Sequence, residues 1–203
     1  EPAVGVMIVC SGASEKQLTD MLNTLDKYGV KGTFYVTGDF VRRNPERIQR
    51  IIDAGHELGS RGNNPINMTE VSYARVQENI RELNDLCEET FGVRPRLFCA
   101  HLGATNSIVT AIARAEGVED CLFAIDACDW SDAYKDKVYQ MVYRVTSDRV
   151  TSGCVVQFHI NGYHTAEVLD KALDNWINVK GLRPVTVGEL MQLSGRDFPP
   201  LPD

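Results

Sequence analysis

Short, uninterrupted apolar runs alternate along the chain with longer segments whose apolar residues recur every three or four positions. The rhythm begins with Val4 to Val9, a strand pattern, and passes into Glu15 to Tyr28, where Leu18, Leu22 and Leu25 share one helical face. Thr33 to Val36 reads as the next strand, and Asn44-Pro45 supplies a cap and an N1 proline for a helix through Ala54. Glu57 to Gly59 is a brief third strand. From Thr69 to Phe91 the positions Val76, Ile80, Leu83 and Cys87 fall at helical spacing, and Gly92 and Pro95 end the segment. Strand patterns recur at Leu97-Phe98, Leu122 to Ile125, Cys154 to His159 and Pro184 to Val187. Helical patterns lie near Ser107 to Glu116, Lys137 to Val150, Thr165 to Val179 and Gly188 to Leu193. Strands and helices that alternate in this way build a parallel sheet. With seven or eight such units in one chain, the pattern predicts an α/β fold of the (β/α) barrel type, with residues 1–203 as a single domain.

In such a barrel, functional side chains come from the C-terminal ends of the strands. That places Cys10 and Ser11, Arg61, Cys99 and His101, Asp126 and Asp129, and His159 as candidates. Composition narrows the ligand. The 203 residues carry a formal net charge of -7 with the two signs interspersed and no polybasic run, which argues against nucleic acid and against an anionic membrane surface. No apolar run is long enough to span a bilayer. The chain opens on Glu1-Pro2 without a signal-peptide pattern, so a targeting segment was either removed or never present. The six cysteines include no Cys-x-x-Cys pair, which speaks against a structural zinc site or a thioredoxin-type centre.

Several motifs, in order and at characteristic spacing, carry a resemblance. They are Lys31-Gly32-Thr33-Phe34-Tyr35-Val36-Thr37-Gly38, Asn44-Pro45-Glu46, Gly55-His56-Glu57-Leu58-Gly59, Asp126-Ala127-Cys128-Asp129-Trp130, His159, and His164-Thr165-Ala166-Glu167. Together they resemble the polysaccharide deacetylases of the NodB-like type, carbohydrate esterase family four, over roughly residues 3 to 193. The resemblance implies a distorted (β/α) barrel, which agrees with the strand count. In active members it implies metal-assisted hydrolysis of an N-acetyl amide: an aspartate and two histidines hold a divalent metal, a second aspartate is the base, and an arginine orients that base. A late histidine, held by an aspartate, is the acid.

Carried over position by position, the resemblance puts Cys10 at the base, Ser11 at the metal-binding aspartate, and Arg61 and Pro65 at the two metal-binding histidines. Cys99 stands for the orienting arginine and His101 for a proline. The acid arm survives as His159 and Asp129, with Trp130 against it. The expectation is therefore a deacetylase-family chain with no metal or other cofactor, inactive by the family mechanism. Its expected ligand is a carbohydrate or peptidoglycan-like molecule, acidic where Arg61 pairs with it, outside the cytoplasmic membrane. The ligand-facing set would be Ser11, Arg61, Cys99, His101, Leu102 and Trp130.

The sequence leaves alternatives open. Asp129 and His159 fit a retained binding role or a hydrogen-bonded pair that only stabilises the barrel mouth. Arg61 fits an anion site, or it turns outward or pairs with Asp126 or Asp129. A metal-independent hydrolase would use Cys10 as nucleophile, His159 as base and Asp129 as orienter. A Cys10–Cys99 disulfide would need a Cα separation below about 7 Å. The aspartate and arginine that those thiols replace span farther, so both thiols are expected free.

Overall fold

The structure is a computed structural model and describes residues 1–203. The chain runs β1 (Ala3–Cys10), α1 (Glu15–Lys27), β2 (Thr33–Val36), α2 (Gly38–Arg43), α3 (Pro45–Asp53), β3 (Glu57–Ser60), α4 (Tyr73–Phe91), β4 (Leu97–Phe98), α5 (Ser107–Ala115) and β5 (Glu119–Asp120). It continues with β6 (Ile125–Asp126), α6 (Val138–Thr146), β7 (Val155–His159), α7 (Thr165–Asn178), β8 (Arg183–Val185) and α8 (Val187–Leu193). Seven strands form a continuous path in the order β5-β4-β3-β2-β1-β7-β6, and β8 pairs with the first residues of β1. Every pairing is parallel. The sheet curls into the expected barrel but does not close.

Alternation along β1 assigns its two faces. Val4, Val6, Ile8 and Cys10 pack outward into the large core beneath the helices, with Leu18, Leu25, Phe34 and Leu173. Met7 and Val9 point inward, to Tyr35, Leu97, Cys99 and Cys121. All eight residues of β1 are buried, as expected for a central parallel strand covered on both faces. The surrounding helices are capped locally. Ser14 and Gln17 form a reciprocal capping box on α1, and Ser72 accepts from the Arg75 backbone N–H at 3.2 Å to start α4. At the other end of α4, Gly92 takes a left-handed φ of 70°, a conformation that suits glycine.

The structure departs from the sequence pattern at four places. Helix α4 begins at Tyr73 rather than Thr69, because Ser72 is the residue that caps it. Helix α6 is shorter than the pattern suggests and ends at Thr146. Helix α2 has no counterpart in the sequence reading and is started by the Thr37 side chain. The apolar run Leu122 to Ile125 is not one strand. Two short strands flank it, and Leu122 and Phe123 are 60% and 38% exposed on the bridge Cys121–Ala124 between them. No ladder joins β5 to β6, so the barrel is open along this seam.

Candidate functional site

The turn that follows β6 builds a densely hydrogen-bonded part of the site. The Asp126 carboxylate accepts from the Cys128 backbone N–H at 2.9 Å, which holds Cys128 at a left-handed φ of 60° and turns Asp129 inward. Asp129 is fully buried. Its Oδ2 accepts from the His159 backbone N–H and the Thr165 hydroxyl, both at 2.8 Å, and its Oδ1 lies 3.0 Å from His159 Nδ1. That contact fixes the proton on Nδ1 and leaves Nε2 as the ring nitrogen available to a ligand. Gly162 closes over the carboxylate, where a Cβ would stand 2.9 Å from Asp129 Cγ. Beside this arm, the Trp130 indole N–H donates to Asp126 Oδ2 at 2.9 Å. Its ring centre lies 6.4 Å from that of His159, and the side chain is 57% exposed.

Across the barrel mouth, Arg61 follows β3 and is anchored by its backbone N–H to the Val36 carbonyl at 2.9 Å. Its guanidinium reaches Cys99 Sγ at 3.7 Å through Nη1, while Nε is buried without a partner. Burial pushes the Cys99 thiol up to about 11, even though Arg61 opposes the shift. The His101 imidazole is held below its usual value by partial burial first and by Arg61 second, which keeps it neutral. A cleft of about 390 Å³ joins the two sides, lined by Arg61, Cys99, Leu102, Asp126, Trp130 and His159 among others.

Of the residues anticipated from sequence, the cleft brings together Arg61, Cys99, Leu102, Trp130 and His159, with Asp129 directly behind His159. Ser11 is exposed outside it, and His101 stands beside it without lining it. The placement of Cys10 corrects the expectation. Its side chain lies on the helix-facing side of the sheet, fully buried, where desolvation drives the thiol pKa strongly upward. On β7, Val156 and Phe158 join that same outer core, so His159 points to the opposite, inner side. A Cys10–His159 catalytic pair is therefore excluded by the sheet between them. Cys10 and Cys99 likewise sit in separate cores on the two sides of the sheet and are free thiols. The ion pair that Arg61 was given with Asp126 or Asp129 does not form either.

Sequence reasoning missed Gln157 and Phe123 as cleft-lining residues. The alternation of β7 signals Gln157, because it shares the inward parity of His159 on a strand whose other face is apolar.

The residues that the resemblance assigns to the metal do not fit a divalent cation. Ser11 and Pro65 are outside the cleft, and a guanidinium is not a metal ligand. Asp126, Asp129 and His159 do bring ligand atoms within 4.8 Å of one another. Yet every carboxylate oxygen there already accepts a hydrogen bond.

Sequence comparison matches residues 11–120 to the family described as polysaccharide deacetylase. The chain belongs to that family. An uncharacterized protein of Bacillus subtilis, YlxY, is 31% identical over 191 residues, which cover 94% of this chain and 58% of that protein. The peptidoglycan-N-acetylglucosamine deacetylase PgdA of Listeria monocytogenes is 27% identical over 179 residues, 88% of this chain and 37% of that one. The chain thus spans only part of these relatives. Among solved structures, a CE4 family pseudoenzyme from Bacillus anthracis superposes with a TM-score of 0.85 at 22% identity, over 94% of this chain and 66% of that chain. A family 4 carbohydrate esterase from Streptomyces lividans gives 0.83 at 21%, over 100% and 99%. These likenesses establish the NodB-like half-barrel. The family fold is therefore retained in this chain.

Proposed function

We propose that this chain is a deacetylase-family protein that binds a cell-wall glycan at the cleft without hydrolysing it. One observation carries the reading: Arg61, a cation that cannot ligate a metal, lines the cleft while the Cys10 thiol is sealed on the far side of the sheet. Metal binding lowers the pKa of water from ~15.7 to ~7, and a general base adds about 10² to 10⁴ in rate. A chain without either has no nucleophile for its one oriented acid to assist. The buried Asp129 carboxylate then serves to hold the His159 imidazole against the cleft, where Nε2 accepts from a sugar hydroxyl. Trp130 offers an exposed ring of the kind that stacks on the apolar face of a sugar.

The named enzymes among the relatives act on peptidoglycan, which supports a ligand of that class and a location outside the cytoplasmic membrane. No helix of the chain is long and apolar enough to cross a membrane. The test is metal analysis of purified protein alongside an acetate-release assay on N-acetylglucosamine oligomers and on peptidoglycan, with direct binding to both. The expected result is binding without stoichiometric metal or acetate release. Zinc at one equivalent per chain, or acetate release lost on chelation, would refute the proposal.

A further inference from the structure

The cleft contains one cation without a counter-charge. Arg61 contacts only the Cys99 sulfur, its Nε is a buried donor with no acceptor, and it forms no ion pair. Of the carboxylates around the barrel mouth, Asp120 forms no ion pair with Arg61 and its Oδ2 accepts from Thr105 and Thr110, although its Oδ1 is buried without a partner. Asp126 is held by Cys128 and Trp130, and Asp129 by His159 and Thr165. A buried charged donor left unpartnered is costly, so an arriving anion gains more here than at an exposed arginine. The opposite character marks the rim, where Leu102, Trp130 and Phe123 are 75%, 57% and 38% exposed around the same cavity. A ligand that fits both features has an apolar face and one negative charge.

We propose that the cleft selects glycans that carry a carboxylate, which pairs with Arg61 while the sugar ring lies on Trp130. The inference rests on the glycan-binding reading above and specifies its ligand. A carboxylate matches the planar guanidinium and balances its single charge. A phosphate monoester, with about −1.5 to −2 charge at neutral pH, would face Asp126 in the same cavity with only one cation to offset it.

The experiment compares two probes of equal length by calorimetry: an N-acetylglucosamine oligomer, and the same oligomer with N-acetylmuramic acid at alternate positions, whose lactyl ether adds the carboxylate. The acidic probe is expected to bind at least ~10-fold tighter, a preference that shrinks as salt rises from ~50 to ~500 mM. Arg61→Gln should erase the preference, bringing the ratio of the two affinities to about one. Arg61→Lys should restore only part of it, because an ammonium lacks the planar fork. Trp130→Ala should weaken both probes alike. Equal affinity of the native protein for the two probes overturns the carboxylate assignment and leaves glycan binding standing. If neither probe binds, both readings fall. The native comparison and its salt dependence need no variant, so misfolding of a mutant cannot decide the outcome.

Discussion

The two walls of the cleft differ in how completely their polar groups are satisfied. On the β6–β7 side, one buried carboxylate receives the His159 backbone, the His159 ring and the Thr165 hydroxyl, and glycine packs over it. On the β3–β4 side, an arginine ends on a thiol and keeps a buried N–H unpaired. The first wall is over-determined by its own chain. The second is completed only by something from outside. A folding constraint and a binding constraint leave these different signatures, because a satisfied network stabilises the native state whereas an orphaned donor raises its energy until a ligand arrives.

Substitutions should separate the walls sharply. Asp129→Ala strands the buried His159 backbone N–H and frees the His159 ring, and is expected to cost about 3 to 5 kcal/mol in chemical denaturation. A loss below ~1 kcal/mol would break the comparison outright.

A pH titration tests the framework beneath both walls. His56, buried at the start of β3, accepts the Gly32 N–H on Nδ1 at 3.1 Å, and burial then Lys31 lower its pKa from 6.5 to about 4. Above pH 6.5 both states are neutral and this group is indifferent to pH. As pH falls from 6.5 towards 4 the unfolded chain takes up a proton that the folded one refuses, so stability drops by up to about 3 kcal/mol, then levels off. His56→Gln should flatten that interval, and an unchanged slope would show that other groups dominate.

Gly162→Ala brings a Cβ to 2.7 Å from the Thr165 hydroxyl and 2.9 Å from Asp129 Cγ, and should lower stability by about 1 to 3 kcal/mol. The smallest effect belongs to the other wall. Arg61→Gln, read in the same denaturation series, should lower stability by no more than about 0.5 kcal/mol, because it removes only the long contact to Cys99 Sγ and relieves a buried unpaired donor. A large loss there would mean that Arg61 is structural after all.

The barrel was legible because its central strands are apolar on both faces and its longest helices carry clear caps and periodicity. β5 was not, since Glu119-Asp120 is acidic, and Glu119 is buried with Arg114 and Arg196 paired to its carboxylate. Leu122 and Phe123 failed in the opposite sense, as apolar residues that form a rim rather than a core. For the site, motif spacing located Arg61, Asp129, Trp130 and His159 at the barrel mouth. It could not orient Cys10, because a strand alternates its faces at every residue and the parity at its last position is set by how the sheet packs. Likewise, sequence left open whether Arg61 would meet a carboxylate. Asp126 was captured by Cys128 and Trp130 of its own turn, and Asp129 by His159 and Thr165 from the next strand and helix.

The seam between β5 and β6 bears on how molecules of this protein behave toward one another in concentrated solution. An unclosed barrel has two free borders, and a long border invites strands from another chain to add on and propagate into aggregates. Here each border is a strand of only two residues, and Pro184 sits at the middle of β8 where it offers no N–H. The opening is thus too brief a template for edge-to-edge growth, and the fold stays unclosed without becoming adhesive.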